Sequence, residues 1–264
     1  MTFFEKLEQR SQKVDSLLCV GLDPDFRKHE PGEIASFNRA IIEATADYTA
    51  CYKPNIAFYE QFGIPGLRAL EETLAAIPAD IPVIGDVKRG DMGNTAEAYA
   101  RAMFEVWNFD AITVNAYQGL DAVQPFLAYR DRGVFVLCRT SNPGSREFQE
   151  RRLETGRMLY EEVAVTATSW APNVGLVGGA RAPAELARVR SLVPETVLLI
   201  PGVGAQGGSA TGVVRAAGYQ PGKMVVNSSR GILYAGQGPA SADAARDAAK
   251  TLRDELRAAA ATPA

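Results

Sequence analysis

The densest run of groups able to do chemistry is Gly85-Asp86-Val87-Lys88-Arg89-Gly90-Asp91-Met92-Gly93-Asn94-Thr95. An apolar stretch, Pro82 to Lys88 (PVIGDVK), leads into it and reads as a β-strand. On an extended strand Asp86 and Lys88 leave one face and Val87 the other, so a carboxylate and an ammonium face one cavity. Lys53 closes another short apolar run, Ala50 to Asn55 (ACYKPN). If it faces the same cavity, the charges alternate, the lysines are biased towards their charged form, and the groups titrate together. A charged lysine can protonate a developing carbanion, while a fixed carboxylate holds that lysine and opposes further negative charge nearby. A salt-bridge network bracing a rim is the structural alternative, and the glycine-rich stretch that follows favours function.

A second chemical segment is Pro201-Gly-Val-Gly-Ala-Gln-Gly-Gly208, which contains GxGxxG from Gly202 to Gly207. It is a poor dinucleotide fingerprint, because it sits late in the chain and Val225, Val226 and Asn227 occupy the region where an acidic residue should follow. No GK[ST] follows either, which excludes a Walker A loop. A glycine-rich loop entering a helix, with Arg230 after the next strand, instead suits a phosphate: backbone N–H groups and a helix N-terminus supply positive potential and arginine supplies paired donors. Asp23, Asn55, Asn115, Thr140, Ser141, Gln206 and Ser229 stand at other strand ends. His29, the one histidine, lies in a polar loop and reads as solvated. Cys19, Cys51 and Cys138 are widely spaced within apolar stretches, so buried thiols are expected in place of a disulfide or zinc site.

The elements that must position these groups are eight short apolar runs: 17–23, 50–55, 82–88, 111–117, 133–140, 174–180, 196–204 and 224–231. Amphipathic segments separate them, at 31–49, 66–77, 95–107, 120–130, 146–170, 182–193, 208–217 and 240–256. Near-continuous apolar strands joined by helices require a parallel sheet covered on both faces. Eight such units in a chain of 264 residues predict one α/β domain, 1–264, an eight-stranded (β/α)8 TIM barrel whose site lies where strands end. The position after strands 7 and 8 is where such barrels hold phosphate. Lys and Arg number 28 against 31 Asp and Glu, a balance that predicts no nucleic-acid partner. The N-terminus lacks a signal-peptide core and no apolar run could span a bilayer, so the expectation is a cytoplasmic protein with no membrane partner.

Together, Gly21-Leu-Asp23, Tyr52-Lys-Pro-Asn55, Asp86-Val-Lys-Arg-Gly-Asp91 with Thr95, Ser141-Asn-Pro-Gly144, Pro201-Gly-Val-Gly-Ala-Gln206 and Ser229-Arg-Gly231 resemble the orotidine 5′-phosphate decarboxylase family, in its longer bacterial type 2 branch. The resemblance covers nearly the whole chain and implies conversion of orotidine 5′-monophosphate to UMP with no metal and no organic cofactor. It implies Lys88 as the proton donor to C6, Asp86 against the scissile carboxylate, and Lys53 and Asp91 completing the charge network. Lys53 and Asp23 would also reach the ribose, Ser141 would read the pyrimidine, and Pro201, Gly202, Gly204, Gln206 and Arg230 would surround the phosphate. Asp91 and Thr95 would enter from a partner subunit, which implies a homodimer. Met92 departs from the usual Ile or Leu, a swap an apolar pocket tolerates. Asp-x-Lys-x-x-Asp also fits Mg²⁺-dependent sugar-phosphate enzymes of the same barrel group. A Schiff-base aldolase would need a lysine of depressed pKa, which neighbouring aspartates oppose. A non-catalytic sugar-phosphate binder would have no use for all four charges.

Overall fold

A computed structural model of the chain describes residues 1–204, 207–236 and 241–261. In chain order the elements are α1 (Phe3–Val14), β1 (Leu18–Gly21), α2 (Pro31–Thr45), β2 (Cys51–Lys53), α3 (Ala57–Glu60), α4 (Gly63–Ala76), β3 (Ile84–Arg89), α5 (Gly93–Arg101), β4 (Ala111–Val114) and α6 (Leu120–Leu127). There follow β5 (Gly133–Arg139), α7 (Leu159–Thr168), β6 (Val174–Gly178), α8 (Pro183–Leu192), β7 (Leu198–Pro201), α9 (Ala210–Ala217), β8 (Met224–Ser228), α10 (Arg230–Leu233) and α11 (Ser241–Ala261). Seven strands fall inside the apolar runs of the sequence and β3 runs one residue past its own, to Arg89; all pair in parallel in the order β2-β1-β8-β7-β6-β5-β4-β3. The seam between β2 and β3 is closed by two isolated bridges, Tyr52 with Val83 and Asn55 with Asp86. Tyr52 N donates to Pro82 O at 3.0 Å and Asp86 N to Pro54 O at 2.9 Å. The result is a TIM barrel.

One seam is irregular. Gly85 and Arg89, four residues apart on β3, pair with Ile112 and Val114, two apart on β4, so β3 bulges at Asp86 to Lys88. The bulge lies at the end of the strand, where the charged run begins.

Inside the barrel, Cys19, Cys51, Ile84, Ala111, Phe135, Val177, Leu199 and Val225 pack into one cluster with Phe3 and Leu7 of α1. α1 therefore plugs the barrel floor. Its start is fixed by a capping box, Thr2 Oγ1 accepting from Glu5 N while Thr2 N donates to Glu5 Oε2. Lys6 Nζ anchors it to Asp110 Oδ1 at 2.9 Å. The Phe3 and Phe4 rings meet Phe135 edge-on, with centroids at 5.8 and 6.1 Å. The larger apolar cluster lies between the strands and the helical ring.

The segment 146–170, read from the sequence as one helix, is helical only over its second half. A 3-10 turn at Pro143–Glu147 and an antiparallel bridge between Arg152 and Met158 precede α7. Two features stop a continuous helix: Gly156 turns at φ +82°, and buried Arg139 draws the segment inward. Its guanidinium donates to Thr140 O, Ser145 Oγ and Glu150 Oε1. No described helix is long and apolar enough to cross a membrane.

The plug makes a measurable claim. Phe135→Ala removes a ring that is fully buried between the floor helix and the barrel interior; urea unfolding should show a loss of about 3–5 kcal/mol. A loss under about 1 kcal/mol would mean that α1 resettles into the space.

Candidate active site

The C-terminal ends of the strands surround a cavity of about 540 Å³, a size suited to a small-molecule ligand. Asp23, Lys53, Asn55, Asp86, Lys88 and Thr113 line it, as do Ser141, Pro201, Ser229 and Arg230. Leu137, Val177 and Leu199 supply apolar lining.

Asp86 is the electrostatic centre. Its Oδ2 accepts from Lys53 Nζ at 3.0 Å and Asn55 Nδ2 at 3.2 Å. Its Oδ1 accepts from Lys88 Nζ at 2.5 Å and Thr113 Oγ1 at 3.0 Å. Four donors fill the acceptor capacity of one carboxylate. Burial alone would raise the Asp86 pKa, but Lys53 and then Lys88 outweigh it and hold the group well below the ordinary aspartate value. Burial likewise opposes the charge on Lys53, whose side chain is only 4% exposed, yet Asp86 and Asp23 win and its pKa lies above the ordinary lysine value. That direction is wrong for a Schiff-base lysine, which needs a depressed pKa.

Lys88 reaches the cavity by a route that simple alternation does not describe. It sits in the β3 bulge with φ +44°, in the left-handed region. The other described non-glycine residues with positive φ are Asp15 and Asn108, types that tolerate this conformation; a lysine there is strained. The expectation that Asp86 and Lys88 face one cavity is met, but through a bulge and not through a regular strand.

Asp23 occupies the next position around the mouth. Its Oδ1 accepts from Asn55 N at 3.0 Å and its Oδ2 from Ser229 Oγ at 2.6 Å, linking the ends of β1, β2 and β8. Gly21 makes this possible, because a Cβ there would lie 1.9 Å from Ser229 Oγ. Beneath, Tyr59 OH donates to Leu22 O at 2.7 Å.

Part of the rim is more exposed. Arg230 opens α10 and borders the cavity, as do Phe26 and Arg27 from the loop after β1. Arg27 is clamped to Asp25 through Nε at 2.9 Å and Nη2 at 2.7 Å. Tyr234 OH accepts from Asp25 N, and its ring stacks on His29 and Phe37. His29 is therefore packed between aromatic rings, where burial lowers its pKa, and is not the freely solvated side chain the sequence suggests. The three cysteines are buried and free.

Several expected residues lie elsewhere. Gly202 and Gly204 do not line this cavity, and the amides of Gly204, Gly207 and Gly208 bond to the loop's own carbonyls. Gln206 lies outside the described residues. Asp91 and Thr95 are outside the cavity of their own chain, and Asp91 Oδ1 accepts from Met92 N. Asn115 is exposed beyond the end of β4, its Oδ1 taken by Tyr117 N. Thr113, two residues earlier, is the one that faces the site. The sequence hides it, because a threonine between Ile112 and Val114 reads as an ordinary β-branched strand residue. Among the described residues no group of three or more His, Cys, Asp or Glu side chains is placed to hold a metal ion.

Comparison with known proteins bears on this arrangement. A family model described as orotidine 5′-phosphate decarboxylase / HUMPS matches residues 16–245. The chain belongs to this family. Within the orotidine 5′-phosphate decarboxylase family, a protein of that name from Halorubrum lacusprofundi is 50% identical over 97% of this chain and 99% of its own length. The structure of Leishmania donovani OMP decarboxylase is 42% identical and superposes with a TM-score of 0.88, covering 99% of this chain and 100% of the other. Leishmania donovani UMP synthase is 43% identical with a TM-score of 0.87, covering 97% of this chain but 57% of that longer one.

The charge cluster fixes how stability depends on pH. Because the folded Asp86 pKa lies below the ordinary value of 3.8, its contribution is complete above that value and is lost as pH falls through the folded value. Lys53 is the reverse case: its folded pKa lies above 10.5, so its contribution is complete below 10.5 and is lost as pH rises through the folded value. Asp86→Asn should therefore be less stable than wild type at neutral pH. The gap should narrow below about pH 4, by up to about 1.4 kcal/mol per pH unit, in denaturant titrations. A gap that is constant down to the acid transition would show that Asp86 is not held ionised.

Proposed function

We propose that this chain decarboxylates orotidine 5′-monophosphate to UMP and CO2 in the cytoplasm, as a step of de novo pyrimidine synthesis, with no metal or organic cofactor. The observation that carries the reading is a largely enclosed carboxylate, Asp86, locked between two lysines at the edge of a partly apolar cavity.

The chemistry follows from those charges. Breaking the bond between C6 and its carboxylate leaves an electron pair on C6. The Lys88 ammonium donates a proton to that carbon, and the resulting amine regains its proton from water. Asp86 cannot relieve like-charge stress against the substrate carboxylate by taking up a proton, because Lys53 and Lys88 hold it ionised. Departure of neutral CO2 relieves that stress instead. Lys53 and Asp23 are assigned to the ribose hydroxyls, Ser141 to the pyrimidine edge, and Pro201 and Arg230 to the phosphate, a reading supported by their all lining one cavity, with Gly202, Gly204 and Gln206 assigned to the phosphate on family grounds.

Asp91 and Thr95 are assigned to the site of a second copy, making a homodimer. Two features support this: Asp91 does not reach its own cavity, and the next residue, Met92, leaves an apolar side chain exposed, the kind of surface a partner covers.

The function is tested by following the ultraviolet absorbance of orotidine 5′-monophosphate with purified protein in EDTA, beside Lys88→Ala. Turnover by wild type and its loss in the variant are expected. Turnover only after Mg²⁺ is restored would overturn the cofactor-free reading, and none under either condition would leave a sugar-phosphate binder. For the dimer, Lys88→Ala and Asp91→Ala proteins, each inactive, are unfolded and refolded together. Sites shared across an isologous interface predict recovery of about a quarter of wild-type activity, since half the dimers are mixed and each carries one intact site. No recovery in confirmed mixed dimers would exclude shared sites.

A further inference from the structure

The strain at Lys88 needs a cause, and the bulge supplies one. At a regular position the amides of Val87 and Lys88 would have carbonyl partners; at the bulge both donate to a side chain, Thr113 Oγ1, each at 3.0 Å. A hydroxyl has two acceptor positions and one proton. With both acceptor positions taken, the proton is directed to Asp86 Oδ1 at 3.0 Å. Thr113 is 1% exposed, so water does not compete for these bonds.

We propose that Thr113 is the positioning residue for the proton donor: its hydroxyl holds Lys88 in the left-handed conformation and ties that backbone to the carboxylate its ammonium faces. Three bonds through one oxygen fix the direction in which the Lys88 side chain leaves the chain relative to Asp86. Thr113 touches no reacting atom; it acts through Lys88. The inference rests on the decarboxylase reading for its rate measurement, but not for its structural one.

The test compares Thr113→Val, which keeps the shape and loses the hydroxyl, with Thr113→Ser, which keeps the hydroxyl. In Thr113→Val one buried and one partly buried amide lose their acceptor, so the bulge should relax and the crystal structure should show Lys88 at negative φ. kcat should fall about 10- to 100-fold, the scale of a misplaced catalytic group, while KM moves less than about threefold. Thr113→Ser should return kcat to within about threefold of wild type. A purely structural role would lower the amount of folded enzyme without splitting kcat from KM in the folded fraction.

Wild-type kcat in Thr113→Val, failure of Thr113→Ser to restore it, or Lys88 retaining positive φ without the hydroxyl would each overturn the inference. If Thr113→Val does not fold, Thr113→Ala is measured in the same way. If wild type itself does not turn over orotidine 5′-monophosphate, the function reading falls, and the Lys88 backbone in the variants still decides the role of Thr113.

Discussion

A carboxylate that must stay ionised where water hardly reaches it constrains this molecule more than any other group. Asp86 is about nine-tenths enclosed, and an isolated charge in that position would take up a proton. It stays charged because two ammonium groups, an amide and a hydroxyl come from β2, β3, β4 and the segment after β2. Each donor has to arrive from a different piece of backbone. The ends of three adjacent strands must therefore be held at fixed heights and angles, and a closed parallel barrel provides such a frame.

The frame is weakest where the site is built. Between β2 and β3 the sheet is joined only by isolated bridges, and between β3 and β4 it bulges. Both departures leave backbone groups that a regular ladder would have consumed. Side chains take them up: Asn55 N goes to Asp23, and the Val87 and Lys88 amides go to Thr113. Local irregularity of the sheet thus becomes the means by which polar side chains are oriented, and the strain concentrates at Lys88. The rest of the core compensates with extensive apolar packing, from the α1 plug to the outer helical ring.

This division explains what could be read in advance. The eight strands were legible because burial on both faces demands apolar runs, and the charged groups were legible because Asp and Lys at the end of such a run need a purpose. The bulge was not. Alternation assigns Asp86 and Lys88 to one face whether the strand is regular or not, so the sequence reaches the correct pairing through the wrong backbone. Thr113 was hidden by its propensity for strands, and Asn115 was favoured because β4 ends sooner than its apolar run. The floor helix and the broken 146–170 segment depend on contacts distant in sequence, Phe3 with Phe135 and Arg139 with Glu150 and Glu185. Periodicity within a window cannot report such contacts.

Parts of the cavity differ in preparation. Around Asp86, Lys53 and Thr113 are buried and already bonded to the carboxylate before any ligand arrives, so these charges need little reorganisation when charge develops on the reacting carbon. On the rim, Phe26, Arg27 and Arg230 stand exposed to solvent. Ordering those side chains costs free energy that a ligand must supply. A substrate whose phosphate lies far from its reacting carbon can supply it there, leaving the preformed charges to act on the bond that breaks. Rigidity where the charges are bonded and adaptability along the exposed rim are then two halves of one arrangement: under the proposed reading, the first governs stabilisation of the transition state and the second the remote binding energy available to it.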